Sequence, residues 1–265
     1  MNDRSREHPE PAGVVRVDAG GIATLRLDRP AQYNVLSRAV LDRLHAELDA
    51  IANDDSVRVV VITGTGRAFC AGHDLREMRA AAANEVDALF HSCSAMMQKI
   101  IAMPQPVIAA VNGMATAAGC QLVAQCDLAV ASDEARFAVS GVNLGLFCST
   151  PAVPLSRVIS RKRAAEMLFT GDFIDAATAL QWGLVNRVVP ASELTQAVEA
   201  LAAKLLAKPR EVLALGKSLF YRQLEAGIES AYRDASFTIA KNMAGEAARE
   251  GVDAFLEKRP PDWKK

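Results

Sequence analysis

Two short runs dense in β-branched and small apolar residues, 57–63 and 106–111, constrain this chain more than any other feature. A strand with one wet face alternates apolar and polar residues. A strand covered on both faces reads as a near-continuous apolar run, which is the mark of a parallel sheet sandwiched between other layers. Parallel neighbours need a crossover connection, usually a helix. Each run here is followed by a loop of glycines and small residues and then by helical spacing. The chain is therefore predicted to build a β/α core around a buried parallel sheet.

The remaining segments fit that plan. Residues 14–18 and 22–27 alternate around Gly20-Gly21 and predict a hairpin. Residues 127–131 and 136–139 read as further strands. Apolar spacing predicts helices over 35–51, 85–103 (stopped by Pro104) and 118–125. Asp74 with Glu77 three residues on predicts a capping box, Asp74 accepting from the orphan amides and Glu77 reaching back. Beyond residue 161 helical signals dominate, at 163–169, 176–182, 191–207, 210–224 and 229–241. The predicted organisation is a disordered tail over 1–13, a core over 14–190 and a helical region over 191–265.

Composition narrows the function. With 30 basic and 31 acidic side chains among 265 residues the net charge is -1, so no global field favours nucleic acid or an anionic membrane. Hydrophobic residues make up 51%, enough to offset chain entropy over most of the chain. No apolar run is long enough to span a bilayer. The charged, proline-bearing start carries no signal-peptide apolar stretch. Cys70, Cys93, Cys120, Cys126 and Cys148 are odd in number and form no Cys-x-x-Cys pair. Reduced thiols in a cytoplasmic protein are expected, with no disulfide framework and no zinc site.

Gly64-x-Gly66 lacks the third glycine of a dinucleotide loop, because Phe69 stands there, and no Gly-Lys-Ser/Thr follows. Neither a Gly-x-Ser-x-Gly elbow nor a His-Glu-x-x-His pair occurs. Two glycine-rich loops remain, 64–73 and 112–119, each between a predicted buried strand and a helix. Unpaired amides at helix starts carry partial positive charge, and two converging on one point make a site for an oxyanion.

The stretch Phe69-Cys70-Ala71-Gly72-His73-Asp74-Leu75-Arg76-Glu77-Met78 resembles the first signature of the crotonase superfamily, the enoyl-CoA hydratase/isomerase family. Val111-Asn112-Gly113-Met114-Ala115, continuing through Ala118-Gly119-Cys120-Gln121-Leu122 to Cys126-Asp127, is similar to its second. Phe169-Thr170-Gly171-Asp172 with Gly183-Leu184-Val185-Asn186 is similar to its third, and Phe255-Leu256-Glu257-Lys258-Arg259 matches near the C-terminus. Within the superfamily the chain looks most like the enoyl-CoA hydratase domain-containing subgroup, through Ala115-Thr116-Ala117-Ala118 and Gly145-Leu146-Phe147-Cys148-Ser149-Thr150-Pro151. The resemblance implies a ClpP/crotonase-like α/β fold, a β-β-α spiral core with a helical C-terminal trimerisation region. It implies a homotrimer or a dimer of trimers. The implied substrate is an acyl-CoA thioester, with coenzyme A part of the substrate and no further cofactor or metal.

By the same resemblance, the amides of His73 and Ala118 form an oxyanion hole that stabilises a thioester enolate. The family's two catalytic glutamates fall on Gln121 and Gly141. A glutamine can orient water but cannot take its proton near neutral pH, and glycine offers no side chain. Standard hydratase chemistry is therefore in question. The expectation is an enzyme of the hydratase/isomerase type, with isomerisation, decarboxylation or thioester hydrolysis, or non-catalytic acyl-CoA binding, as alternatives. Ala71, Asn143, Cys148, Arg29 and Lys258 are the expected substrate contacts, the two cations facing coenzyme A phosphates. The His73 ring is expected to point outward from its loop, the alternative being that it enters the pocket. Cys120 and Cys148 are expected to be buried and inert.

Overall fold

The computed structural model describes residues 13–263. The hairpin β1 (Val14–Ala19) and β2 (Ile22–Leu27) opens the chain and leads into α1 (Arg38–Ala52). Three strand pairs follow, with helices between them. They are β3 (Val59–Gly64) and β4 (Ala68–Cys70), then α2 (Leu75–Ala80) and α3 (Ala83–Ala102). Next come β5 (Val107–Val111) and β6 (Met114–Thr116) with α4 (Ala118–Gln125), then β7 (Leu128–Ser132) and β8 (Arg136–Ala138) with α5 (Ser149–Val158) and α6 (Arg161–Thr170). The two-residue strand β9 (Ile174–Asp175), α7 (Ala176–Trp182) and β10 (Arg187–Val189) complete the sheets. Helices α8 (Leu194–Leu206), α9 (Arg210–Leu224), α10 (Ile228–Met243) and α11 (Glu246–Leu256) finish the chain.

Each strand pair gives its first member to one sheet and its second to another. The six-stranded sheet runs β1-β2-β3-β5-β7-β10, and the four-stranded sheet runs β4-β6-β8-β9. From β2 to β10 the larger sheet is parallel. This is the β-β-α spiral that the sequence resemblance implied, and the parallel sheet is covered on both faces as the apolar runs required. Val60, Ile62, Val107, Ala109 and Val111 face the main core with α1, α3 and α4. Their neighbours Val59, Val61, Ile108 and Ala110 face Leu194, Val198, Leu201 and Ala202 of α8. Alternate residues of one strand thus feed two cores, which is why no polar alternation is visible.

Several elements differ from expectation. The loops 64–73 and 112–119 contain β4 and β6, each only three residues long. Helix α5 occupies a stretch for which the sequence pattern predicts no element, because Pro151 and Pro154 mask it. The first lies in the opening turn, where a missing N–H costs nothing, and the second is carried inside the helix. Strand β10 and helix α11 were also absent from the sequence pattern. Glu77 does not reach back to Asp74; its carboxylate accepts from the Arg38 amide at 3.0 Å, an orphan donor at the start of α1. Gly13, placed in the expected tail, is buried and its carbonyl accepts the Asp28 amide at 2.8 Å. The rest of that tail lies outside the described residues.

The helical C-terminal region is fastened to the core by one buried charged cluster. Lys217 of α9 donates to Asp127 Oδ2 at 2.7 Å and to the carbonyls of Ile100 and Gln105 at 2.7 and 2.8 Å. The Tyr221 hydroxyl donates to Asp127 Oδ1 at 2.7 Å, and the Val107 amide donates to Oδ2 at 2.7 Å. Three donors of the ammonium group meet three acceptors, so the buried charge is fully paired. Removing one partner of such a pair leaves the other uncompensated and costs about 3–5 kcal/mol. Lys217→Met is expected to lower unfolding free energy by about 3 kcal/mol in urea titration. Tyr221→Phe, which deletes one hydrogen bond to a charged group, is expected to cost about 1.5–3 kcal/mol.

Candidate functional site

Two junctions meet in the interior. At the first, β4 ends at Cys70 and the chain runs through Ala71, Gly72 and His73 to Asp74. Asp74 caps α2, accepting from the amides of Arg76 and Glu77 at 3.0 and 3.3 Å. The segment is held from several sides. The Ala71 amide donates to the Tyr33 carbonyl at 3.0 Å, and the Leu36 amide donates to the Gly72 carbonyl at 2.8 Å. The Ala71 carbonyl accepts the Thr116 hydroxyl at 3.0 Å. Asn34 ties down the strand that feeds this junction. Its side-chain amide donates to the carbonyls of Thr65 and Ala68 at 2.9 and 2.7 Å, and its Oδ1 accepts the Arg29 amide at 2.9 Å. Sequence reasoning missed Asn34. Its signal is a φ of 56°, a backbone region that asparagine tolerates better than most residues.

At the second junction, β6 passes through Ala117 into α4. Ala117 has φ 48° and ψ -119°, a conformation that costs a non-glycine residue about 1–3 kcal/mol. Two bonds hold it: its amide donates to the Ala138 carbonyl, and its carbonyl accepts the Gln121 amide, both at 2.9 Å. The junctions are in contact. Gly72 has φ 91°, and a Cβ on it would lie 3.0 Å from the Ala117 methyl and 3.3 Å from the Ala118 nitrogen. At the second residue of α4, a Cβ on Gly119 would fall on the Cys70 carbonyl oxygen. Only glycine permits both approaches. The amides of His73 and Ala118 donate to no acceptor among the described residues. The start of α4 adds the positive end of a helix dipole.

The His73 ring corrects the sequence expectation. It does not point outward. Its Nδ1 lies 3.3 Å from the Leu36 carbonyl, and it packs edge-to-face on Phe90 of α3, with centroids 5.2 Å apart and planes at 81°. The pairing of Leu36 with His73 draws the residue inward, and the Phe90 ring receives it. Its Nε2 is buried with no hydrogen-bond partner among the described residues. Burial pushes the imidazole below its usual pKa, against the Leu36 hydrogen bond and the Glu77 charge. Gln121 is 4% exposed, and its Oε1 is likewise buried and unpaired.

The turn at Ser140–Leu144 leaves β8 just after Ala138, beside Ala117. Gly141 sits in it, its amide donating to Cys148 Sγ at 3.3 Å. Ala71, His73, Ala118 and Gln121 therefore cluster, with Gly141 and Cys148 paired beside them. Asn143 is exposed and donates to the Gly171 carbonyl at 3.4 Å. Arg29 donates to the Ser37 hydroxyl at 3.2 Å. Lys258 is exposed at the end of α11, with φ 57°. All five thiols are free and buried. Desolvation pushes Cys70, Cys93 and Cys120 up to about 12 and raises Cys126 and Cys148 as well. None is an activated nucleophile. Among the described residues no cluster of three His, Cys, Asp or Glu could hold a metal ion, and no helix is long and apolar enough to cross a membrane.

The spiral with its two facing junctions defines a crotonase-fold protein, and sequence comparison agrees. The enoyl-CoA hydratase/isomerase family model matches residues 18–265. The chain belongs to that family, on the side of its enoyl-CoA hydratase domain-containing members. It is 46% identical over 244 residues to the mouse enoyl-CoA hydratase domain-containing protein 3, mitochondrial, covering 92% of this chain and 81% of the relative. It is 35% identical to the 2,3-dehydroadipyl-CoA hydratase of Escherichia coli, over 92% of this chain and 95% of that protein. A crystal structure of an enoyl-CoA hydratase from Mycobacterium smegmatis superposes with a TM-score of 0.93 at 54% identity, over 95% of this chain and 98% of that one.

Two measurements check the electrostatics of the site. With its pKa lowered by burial, His73 takes up a proton in the unfolded chain before the folded one. Stability is then lost as pH falls through about 6.5 toward the folded pKa. The urea midpoint of the wild type is expected to fall more steeply between pH 7.5 and 5 than that of His73→Gln; parallel curves would contradict the buried neutral ring. Iodoacetamide at pH 8 is expected to label Cys148 first and slowly, with the other four reacting only in denaturant, as read by mass spectrometry.

Proposed function

We propose that this protein binds an acyl-CoA thioester and polarises its carbonyl between the amides of His73 and Ala118. The observation that supports the reading is the close approach of Gly72 to Ala117 and Ala118 at the start of α4, together with the unpaired amides of His73 and Ala118 on the two segments that meet there. Such donors favour the oxygen of an enolate over that of the resting thioester, each worth about 3–4 kcal/mol of barrier. Family membership supports an enzyme of the lyase or isomerase class. Gln121, one turn below Ala118 on the same face of α4, orients water or the acyl group.

Two further parts of the reading rest on surfaces. The C-terminal helices expose Ile228, Tyr232, Phe237 and Phe255 at 70% or more. Large apolar side chains left this exposed mark subunit packing, and we read them as contacts of a homotrimer or a dimer of trimers. Lys258 is exposed just past the end of α11; there it meets coenzyme A phosphates of a neighbouring subunit's substrate, while Arg29 serves its own. The free thiols and the names of the mitochondrial relatives fit a reducing compartment, cytoplasm or mitochondrial matrix.

Hydration requires a proton taken from water and another given to carbon, and neither Gln121 nor Gly141 supplies a carboxylate. The wild type is expected to bind crotonyl-CoA yet hydrate it far below the usual turnover of about 10 per second. Gln121→Glu is expected to raise hydration about 10- to 100-fold, followed by mass spectrometry of the product. Gly141→Glu is expected to fail as a rescue. A Cβ there would lie 2.6 Å from the Leu146 carbonyl oxygen and 2.8 Å from Cys148 Sγ, so the turn must move and stability falls. Ordinary turnover by the wild type would overturn the requirement for carboxylates at 121 and 141.

A further inference from the structure

The His73 imidazole carries more structure than a loop residue needs. The Leu36 carbonyl can only accept, so the Nδ1 facing it at 3.3 Å carries the ring proton. The neutral ring then presents a bare lone pair at Nε2. That atom is buried and has no partner among the described residues. A buried acceptor left unpaired costs about 1–3 kcal/mol, and such an atom calls for a function. The residue also follows Gly72, which lies against Ala117 and Ala118, so its ring is anchored beside the amides assigned to polarisation. Neither Gln121 nor Gly141 offers a proton acceptor in its place.

We propose that His73 Nε2 is the catalytic base of this protein, taking a proton from the carbon next to the thioester carbonyl. The inference rests on the acyl-CoA reading above. In the step, the Nε2 lone pair forms the N–H bond as the C–H bond breaks. The C–H electron pair becomes the enolate double bond, and the carbonyl π pair moves onto the oxygen held by the amides of His73 and Ala118. The imidazolium returns the proton either to the same carbon or, in an acyl group unsaturated at the next position, two carbons along. The second outcome moves a double bond into conjugation with the thioester and consumes neither water nor an oxidant. One base serves both halves, so the absent carboxylate pair is not needed. The Nδ1–H bond to Leu36 keeps the ring in the productive tautomer and steadies the imidazolium. Phe90, itself half-buried, packs on the ring at 5.2 Å and keeps water from it. Glu77 of α2 is the charged group that acts on the ring, favouring the imidazolium when it forms.

The test is exchange of the α-protons of butyryl-CoA in deuterated buffer, read by mass spectrometry, with binding of the same ester measured by calorimetry. Wild type is expected to exchange, with a rate that rises with pH through the imidazole titration and levels near neutrality. His73→Gln, which keeps the backbone amide, is expected to bind within threefold of wild type and exchange about 100-fold slower, with no such pH dependence. Nitrogen NMR of the wild type is expected to show a protonated Nδ1 and a bare Nε2. Binding without exchange in the wild type, equal exchange in His73→Gln, or the opposite tautomer would overturn the base assignment while leaving the acyl-CoA reading intact. Absence of heat with both butyryl-CoA and crotonyl-CoA would overturn that reading itself.

Discussion

Helix α4 is enclosed on every side, and its enclosure fixes where its first amides point. All eight of its residues are buried, a condition that a helix meets only at the centre of a layered fold. Gly119 lets its backbone touch the Cys70 carbonyl, and the Gln125 side chain donates to the Met97 carbonyl at 3.0 Å. With both ends held, the strained Ala117 that turns β6 into the helix has no room to relax. The junction is thus a consequence of packing: the segment after β4 and the start of α4 are pressed together through Gly72 and Gly119.

The Asp127 cluster extends this control to the C-terminal region. Asp127 follows α4 directly, and its carboxylate gathers the Val107 amide of β5 with Lys217 and Tyr221 of α9. One buried carboxylate therefore links the central sheet, the exit of α4 and the helices that present the exposed apolar face. A polar network of this kind is unforgiving. Fully satisfied it fixes one arrangement, and partly satisfied it is costly. The register of α9 against α3 is consequently set by chemistry rather than by interchangeable apolar contacts, and the outward face of α10 and α11 inherits that register.

Elements whose identity is set by local pattern could be read from the sequence. The strands β3 and β5 declared themselves because burial on two faces forces apolar residues at successive positions. The hairpin β1–β2, α4, α7 and α9 followed from turn residues and spacing. Elements set by long-range contact could not be read. Strands β4 and β6 are three residues each and lie inside glycine-rich segments; they exist because the second sheet pairs them, Cys70 with Ala115 and Ala68 with Met114. Helix α5 survives its prolines because its apolar residues pack beside α4. At the site, motif spacing singled out His73 and Ala118, and the structure brings the segment before the first against the helix that starts at the second. The direction of the His73 ring was not, since it depends on Leu36 and Phe90, each far along the chain. Lys217 was invisible for the same reason: a lysine in mid-helix reads as solvated until its acceptors are brought to it.

The turn beside the site shows that a missing side chain and a closed space are different things. Gly141 does not leave room for a side chain of its own. Its amide is spent on Cys148 Sγ, and the Leu146 carbonyl stands where a Cβ would project. The same turn exposes Leu144, Leu146 and Phe147 and rests Phe147 near Phe169, with ring centroids 6.1 Å apart. The local sequence builds here a packed backbone turn rimmed with apolar side chains, with no side chain at position 141. Under the reading proposed above, the carbonyl is polarised by backbone amides that any residue but proline provides, and the proton acceptor stands on the junction of β4 with α2 rather than in this turn. A reaction needing one proton acceptor fits that arrangement better than one needing two.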